Sequence, residues 1–412
     1  MSRGERTVIR AGFIPLLDAS ILLVAAHRGF AEAEGLELLL TRETSWANIR
    51  DRLAIGHFDV AHLLAPMPIA SSLGLTPLKT ELIAPMALGL GGNAVTVSNV
   101  LWGALREHGA ESSGDPNRIG AALREVIAQR RQRGEPRLTF AIVHAYSGHN
   151  FELRYWLAAS GVDPERDVEL AVVPPPFMVD ALSSGRIDGY CVGEPWSSAA
   201  VAAGVGRIAT TKSAIWRSSP EKVLGMRAEF ADSAPDTVAA LLRALHHASV
   251  WCDEPGNRPA LAELLSRPDL LGVSPGVLLP GLTGRIVLGE DAPVAVPDFL
   301  YFSRRAATFP WVSHALWFFS QMVRWGQTTY SPQAVDIARR SYRPDIYRAA
   351  LAPIGVALPN ASAKVEGALV RETPVASSTG RLQLGPDGFF DGRIFDPDLI
   401  ETYIRGFERP QT

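Results

Sequence analysis

The sequence predicts an α/β protein of two lobes with a helical C-terminal extension, and three observations predict it. Strand-like and helix-like stretches alternate through the first hundred residues. A second alternating unit follows. From about Asp236 the pattern turns mostly helical. Alternation of this kind implies right-handed crossovers and a largely parallel sheet in each unit.

In the first unit, Thr7 to Phe13 reads as a strand, Ser20 to Glu34 as a helix ended by Gly35, and Leu36 to Thr41 as a second strand. Ser45 is a plausible N-cap for a helix to about Ile55, closed by Gly56. Phe58 to Leu64 is a third strand, stopped at Ala65-Pro66-Met67-Pro68, and Leu82 to Ala87 is another. In the second unit, Glu111 to Arg118 is a polar loop and Ala121 to Arg133 an amphipathic helix with a basic face. Leu138 to His144 is a strand, Phe151 to Ala159 a helix, and Val168 to Val173 a strand stopped by three prolines. Ile187 to Val192 is a strand that runs into Gly193-Glu194-Pro195-Trp196. Thr237 to Cys252 and Trp311 to Trp325 are the clearest later helices. The domain reading is residues 1–97 as the first part of lobe one and 98–212 as lobe two. Residues 213–360 return to lobe one with the helical part, and 361–412 form an irregular tail.

The 412 residues are 47% hydrophobic and 20% charged, with a formal net charge of -3. That balance provides no broad attraction for nucleic acid or an anionic membrane. Two cysteines, Cys191 and Cys252, imply no disulfide framework and fit a reducing compartment. The N-terminus leads from a basic start straight into a strand broken by Arg10, and Ile21 to Ala26 is too short to span a bilayer. The expectation is a cytoplasmic protein without export signal or membrane anchor.

No Walker or HExxH motif occurs, and Gly89-Leu90-Gly91-Gly92 lacks dinucleotide spacing. The nine histidines show no metal spacing. Ligands of open α/β sheets sit at the carboxyl ends of strands, which brings Glu43–Trp46, Pro66–Pro68, Gly89–Asn93, Ala145–His149 and Gly193–Trp196 into view. These loops offer donors: the Trp46 indole, the Asn93 amide, the His149 imidazole, the Gly193 backbone N–H and, from a later segment, the Lys222 ammonium. No paired carboxylate or nucleophile–base set is evident. The kit suits a small oxyanion, whose oxygens only accept. Each residue has a plainer reading: Trp46 as core, His149 as a helix cap, Gly193 as a turn before Pro195, Lys222 as exposed surface.

At these residues the sequence resembles the NrtA/CmpA family, the nitrate- and bicarbonate-binding receptors of cyanobacterial ABC importers. The likeness runs from about Ile9 to Leu358. It is densest in Thr44-Ser45-Trp46 with Asp59 to Pro68, Gly148-His149 with Arg154 to Ala159, Val172 to Pro176 with Cys191 to Trp196, and Pro220-Glu221-Lys222 with Gly225 to Ala228. The resemblance implies a two-lobe periplasmic-binding-protein-like fold of type II. It places the family's anion contacts on Trp46, His149, Gly193 and Lys222, and on Asn93 where the nitrate receptors carry a glutamine. The bicarbonate receptors carry an acidic residue at the position of Lys222, so a cation there favours nitrate or nitrite.

Without an evident export signal, the chain is similar to the cytoplasmic NasS-type sensor of the family. From the residue types alone, no catalysis, cofactor or metal is expected. The resemblance implies a protein partner, an ANTAR-domain antiterminator held when nitrate is absent and released when the anion binds, so that this chain itself touches no RNA. Two other readings are an importer receptor for nitrate or another small anion, and an enzyme like the thiamine-pyrimidine-precursor synthases, whose cysteine-rich iron motif is missing from this sequence.

Overall fold

The computed structural model describes residues 6–289 and 292–407. Lobe one is built on a five-stranded sheet in which β1 (Thr7–Phe13) lies between β2 (Leu36–Arg42) and β3 (Val60–Leu64), both parallel to it. β3 and β4 (Leu82–Ala87) are fully buried, and their near-continuous apolar runs are what a sheet covered on both faces requires. After β4 the chain leaves through a short β5 (Leu90–Gly91) and enters lobe two as β6 (Asn93–Ser98). The lobe-two sheet also contains β7 (Leu138–Ile142), β8 (Val168–Val172), β9 (Gly189–Gly193) and β10 (Gly206–Thr211), in the order β10-β6-β9-β7-β8. The chain then returns as β11 (Lys222–Arg227), which inserts between β3 and β4.

The two crossing strands change the expected topology. β11 runs antiparallel to both of its neighbours, and β6 runs antiparallel to β9 and β10, so neither sheet is purely parallel. The reason is geometric. A strand arriving from the other lobe enters at the edge where the resident parallel strands end, and so it runs back against them. Asn93 therefore pairs with Gly193, the last residue of β9, and Lys222 pairs with Leu64, the last residue of β3. The first residue of each crossing strand is thereby delivered to the carboxyl edge of its sheet. The glycine-rich stretch before β6 serves this crossing: Gly91 has φ +80°, and a Cβ there would sit 2.1 Å from the Phe299 carbonyl oxygen.

Other elements differ in detail. The helix read from Ser20 to Glu34 is two, Ser20–His27 and Phe30–Ala33, parted at Gly29 with φ 80°. The polar loop ends earlier than expected, because Asp115 caps the Asn117 N–H and the helix Pro116–Gln132 starts there. The sheet change falls at Asn93 and the return strand starts at Lys222.

The segment after residue 361, expected to be irregular, carries an antiparallel hairpin (Thr373–Ala376 with Arg381–Leu384) and a helix, Ile400–Arg405. It is bound to the body. Phe389 stacks on Trp216 with ring centroids 4.6 Å apart, and the Tyr155 hydroxyl donates to Asp391 at 2.9 Å. Partly buried Lys364 pairs with Glu366 and, at 2.5 Å, with Asp387, both of them buried. Its apolar residues serve two separate buried clusters rather than one face, so no single period marks it. One of those clusters runs across the lobes, joining Trp46 and Leu63 of lobe one to Val95, Phe140 and Tyr190 of lobe two.

Candidate functional site

The five residues singled out from the sequence converge between the lobes. Trp46, Asn93, His149 and Lys222 are at most 1% exposed, and Gly193 is buried in β9. Trp46 opens the helix Trp46–Ala54, and its ring centroid lies 5.5 Å from Lys222 Nζ. His149 stands on the first turn of the helix Gly148–Ala159, whose N-cap Ser147 accepts the Asn150 N–H. The Gly193 N–H donates to His149 Nε2 at 3.1 Å. Gly193 is closely surrounded: a Cβ would lie 3.2 Å from Asn93 Oδ1 and 3.4 Å from an Asp18 oxygen, so a side chain there would crowd the Asn93 amide.

Around these five stand residues that the sequence reading missed. Lys222 Nζ donates to Asp18 Oδ2 at 2.8 Å and to Glu221 Oε1 at 2.7 Å. His62, a lone polar residue in the apolar run of β3, places Nε2 2.8 Å from Asp18 Oδ1 and accepts the Ile14 N–H on Nδ1 at 3.4 Å. The other Glu221 oxygen accepts from Asn93 Nδ2 and from Lys212 Nζ, both at 2.6 Å. Lys212 Nζ also lies 2.7 Å from Glu152 Oε1, and Glu152 Oε2 accepts from Asn93 at 3.4 Å. All of these side chains are at most 5% exposed. The Glu221 carboxylate also faces the N-terminus of the His149 helix, where a helix favours negative charge, and a Cβ on Gly148 would lie 2.6 Å from its Oε2.

Lys222 is buried, so its plainer reading as exposed surface falls, and two carboxylates already hold it. Two expectations are corrected here. A pair of carboxylates does exist: Glu152 and Glu221 share the Lys212 ammonium. His149 presents a lone pair, not a proton, to Gly193.

The electrostatics follow from burial and pairing. Burial would raise Asp18, but Lys222 and His62 outweigh it and hold its carboxyl at about 2. Burial also opposes ionisation of Glu221, yet His149 when charged, with Lys212 and Lys222, brings it well below the usual carboxylate range. Glu152 goes the other way. Burial lifts it to about 8 in spite of Lys212, so it holds its proton at neutral pH. Burial lowers His149 to about 3 and lowers His62 as well, leaving both neutral. Two ionised carboxylates thus face two ammoniums, and the site is balanced.

Some polar atoms remain unused. Trp46 Nε1, Asn93 Oδ1 and His149 Nδ1 are buried and have no hydrogen-bond partner. An orphaned buried indole N–H is uncommon and calls for an acceptor. Among the described residues, no group of three or more His, Cys, Asp or Glu side chains could hold a metal ion.

Two mixed sheets joined by crossing strands, with buried polar groups where the strands cross, define a two-lobe solute-binding fold of the periplasmic type. The comparisons agree. The crystal structure of the periplasmic nitrate-binding protein NrtA from Synechocystis superposes with a TM-score of 0.85 at 27% identity, covering 98% of this chain and 99% of that one. Residues 2–266 match the NMT1-like family, and the chain belongs to it. It is 32% identical over 410 residues to the nitrate/nitrite binding protein NrtA of Synechococcus elongatus, covering 97% of this chain and 86% of that protein. It is also 36% identical over 356 residues to the nitrate import ATP-binding protein NrtC of Synechocystis, covering 85% of this chain. The chain spans 51% of that relative's length. Among the described residues, no helix is long and apolar enough to cross a membrane.

Proposed function

We propose that this protein is a receptor for a small acceptor-only anion, nitrate or nitrite, bound between the lobes by Trp46, Asn93, His149, Gly193 and Lys222. The observation that carries the reading is the buried, partnerless Trp46 indole N–H beside the Lys222 ammonium. A planar oxyanion is the kind of guest that satisfies an orphaned donor next to a cation. The likeness to NrtA over nearly the whole chain supports the same ligand class. The function is binding rather than turnover. Titration calorimetry with nitrate, nitrite, bicarbonate and sulfate tests it. Saturable binding of nitrate or nitrite, with bicarbonate and sulfate much weaker, is expected. Equal response to all four, or to none, would remove the reading.

The finer role we propose is that of a cytoplasmic sensor, which holds an ANTAR-domain antiterminator in its empty form and releases it when the anion binds. It rests on the resemblance to the NasS-type sensor. The partner must then prefer one lobe arrangement and the anion another, so each weakens the other's binding. Nitrate titrations with and without the purified antiterminator measure this, and identical affinities would exclude the sensor role. A receptor serving an importer is the second reading, favoured by the printed roles of the NrtA and NrtC relatives. Fractionation of cells expressing the native gene separates the two, since an importer receptor of this type works outside the inner membrane.

A further inference from the structure

We propose that the anion enters this site together with a proton, that His149 takes the proton on Nε2, and that this protonation frees the Gly193 N–H for the ligand. The inference rests on the anion-receptor reading and deepens it.

The geometry begins at His149 Nε2. It accepts the Gly193 N–H at 3.1 Å, so in this form it carries no proton, and the backbone donor that a ligand would use is occupied. The same Nε2 lies 3.3 Å from Glu221 Oε1. A lone pair and a carboxylate oxygen face each other there with no hydrogen between them. A proton on Nε2 turns that contact into a charge-assisted hydrogen bond. The same proton removes the acceptor of the Gly193 N–H. That buried donor then needs a new acceptor, next to Asn93 and Asp18. One proton, taken from the buffer, therefore both creates the donor and supplies its counter-charge.

The charge inventory requires such a proton. Asp18 and Glu221 are matched by Lys212 and Lys222, all four buried. Nitrate brings a negative charge and no proton, and an unbalanced buried charge is strongly unfavourable. The groups acting on His149 are Glu221 just before β11, Lys222 at its first residue, Lys212 after β10 and Asp18 after β1; Glu152 stands one turn further along the same helix. His62 stands behind Asp18. Among these groups, Lys212, in spite of burial, is raised by Glu152 and Glu221 and already carries its proton, and Glu152 holds one at neutral pH. His62 spends its free lone pair on the Ile14 N–H, so charging it would break a strand-end bond and release no ligand donor. His149 is the group whose protonation yields a ligand contact.

The test is calorimetry of nitrate binding to the wild-type full chain at pH 7 in phosphate, HEPES and Tris, whose ionisation enthalpies differ. The dependence of the observed enthalpy on buffer gives the proton count. Uptake of about one proton per nitrate is expected, with Kd rising about tenfold per pH unit over the same range. Zero uptake, or release, overturns the proposal. His149→Gln, checked for folding by circular dichroism, is expected to bind nitrate more weakly and without proton uptake. Undiminished uptake in that variant overturns the assignment to His149. Nitrate binding with no proton exchange leaves the receptor reading standing and sinks this one, whereas absence of binding by the wild type in every buffer sinks both.

Discussion

Asp18 and Lys222 are 204 residues apart in sequence and meet at 2.8 Å, fully enclosed. The pair ties the turn after β1 to the first residue of the returning strand, and it fixes the ammonium on which the site is centred.

Breaking that pair from one side should be costly. Lys222→Met leaves Asp18 and Glu221 without their shared cation, and a loss of about 3–5 kcal/mol is expected, as for other buried pairs opened on one side. The double variant Asp18→Asn/Lys222→Met should regain a substantial part of it. Urea unfolding measures both, and a double variant no more stable than the single one would mean that Asp18 is not the partner that matters. Asp18 also sets an acid limit. Its folded pKa is depressed to about 2, so its contribution is present above the unfolded value and fades as pH falls through about 2.

Glu152 has the opposite sign. Its pKa is raised to about 8 in the folded protein, so its contribution is complete below the unfolded value near 4.5 and is lost as pH rises through about 8. Stability should therefore decline between pH 5 and pH 8, by about 1.4 kcal/mol per unit at most. Glu152→Gln mimics the protonated acid and should flatten that decline while leaving stability at pH 5 little changed. Melting curves across this range decide it, and an unaltered slope in the variant would assign the decline to another group, with Glu194 (raised by burial to about 7) next in line.

Trp46→Phe keeps an aromatic ring against His62 and Lys222 but removes the orphaned N–H. Because that N–H has no partner within the protein, folding stability should hold or rise slightly. Nitrate affinity should fall about tenfold, the loss expected for one hydrogen bond to a charged acceptor. Equal affinity in variant and wild type would remove Trp46 from the contact set.

Phe389 packs in the C-terminal segment against Trp216 and Tyr155, with ring centroids 4.6 and 5.4 Å away. Phe389→Ala should destabilise the whole protein by about 3–5 kcal/mol, as loss of a core aromatic does. Chemical denaturation provides the measurement. A near-neutral result would make the segment an appendage.

The strands of lobe one were legible where apolar residues run together or alternate: Thr7 to Phe13 and Leu82 to Ala87 have the same limits in the fold as in the sequence. The crossing strands were not. Asn93–Ser98 follows a glycine-rich stretch that reads as loop, and Lys222–Arg227 begins with a charge. Their direction depends on which lobe the chain has just left, which no local pattern encodes. The convergence of Trp46, Asn93, His149, Gly193 and Lys222 follows from their loops lying at strand ends. Asp18, Glu152, Lys212 and Glu221 escaped notice because a buried charge and a solvated one look alike in a sequence. Two signals were available: His62 alone within Val60-Ala61-His62-Leu63-Leu64, and Glu221-Lys222 leading directly into Val223-Leu224.

The C-terminal segment also acts as a leash. Leu384 is embedded in the apolar cluster that includes β1 and the helix Pro235–Asp253, while Phe389 is embedded in the one that crosses to lobe two. Four residues lie between these anchors, so the five chain steps from one to the other span at most about 17 Å when drawn straight. The two halves cannot gape freely along this edge unless one anchor is pulled out. A guest held between the lobes would then have to exchange with little separation of the two halves, and any protein that distinguishes loaded from empty would have to read a small displacement.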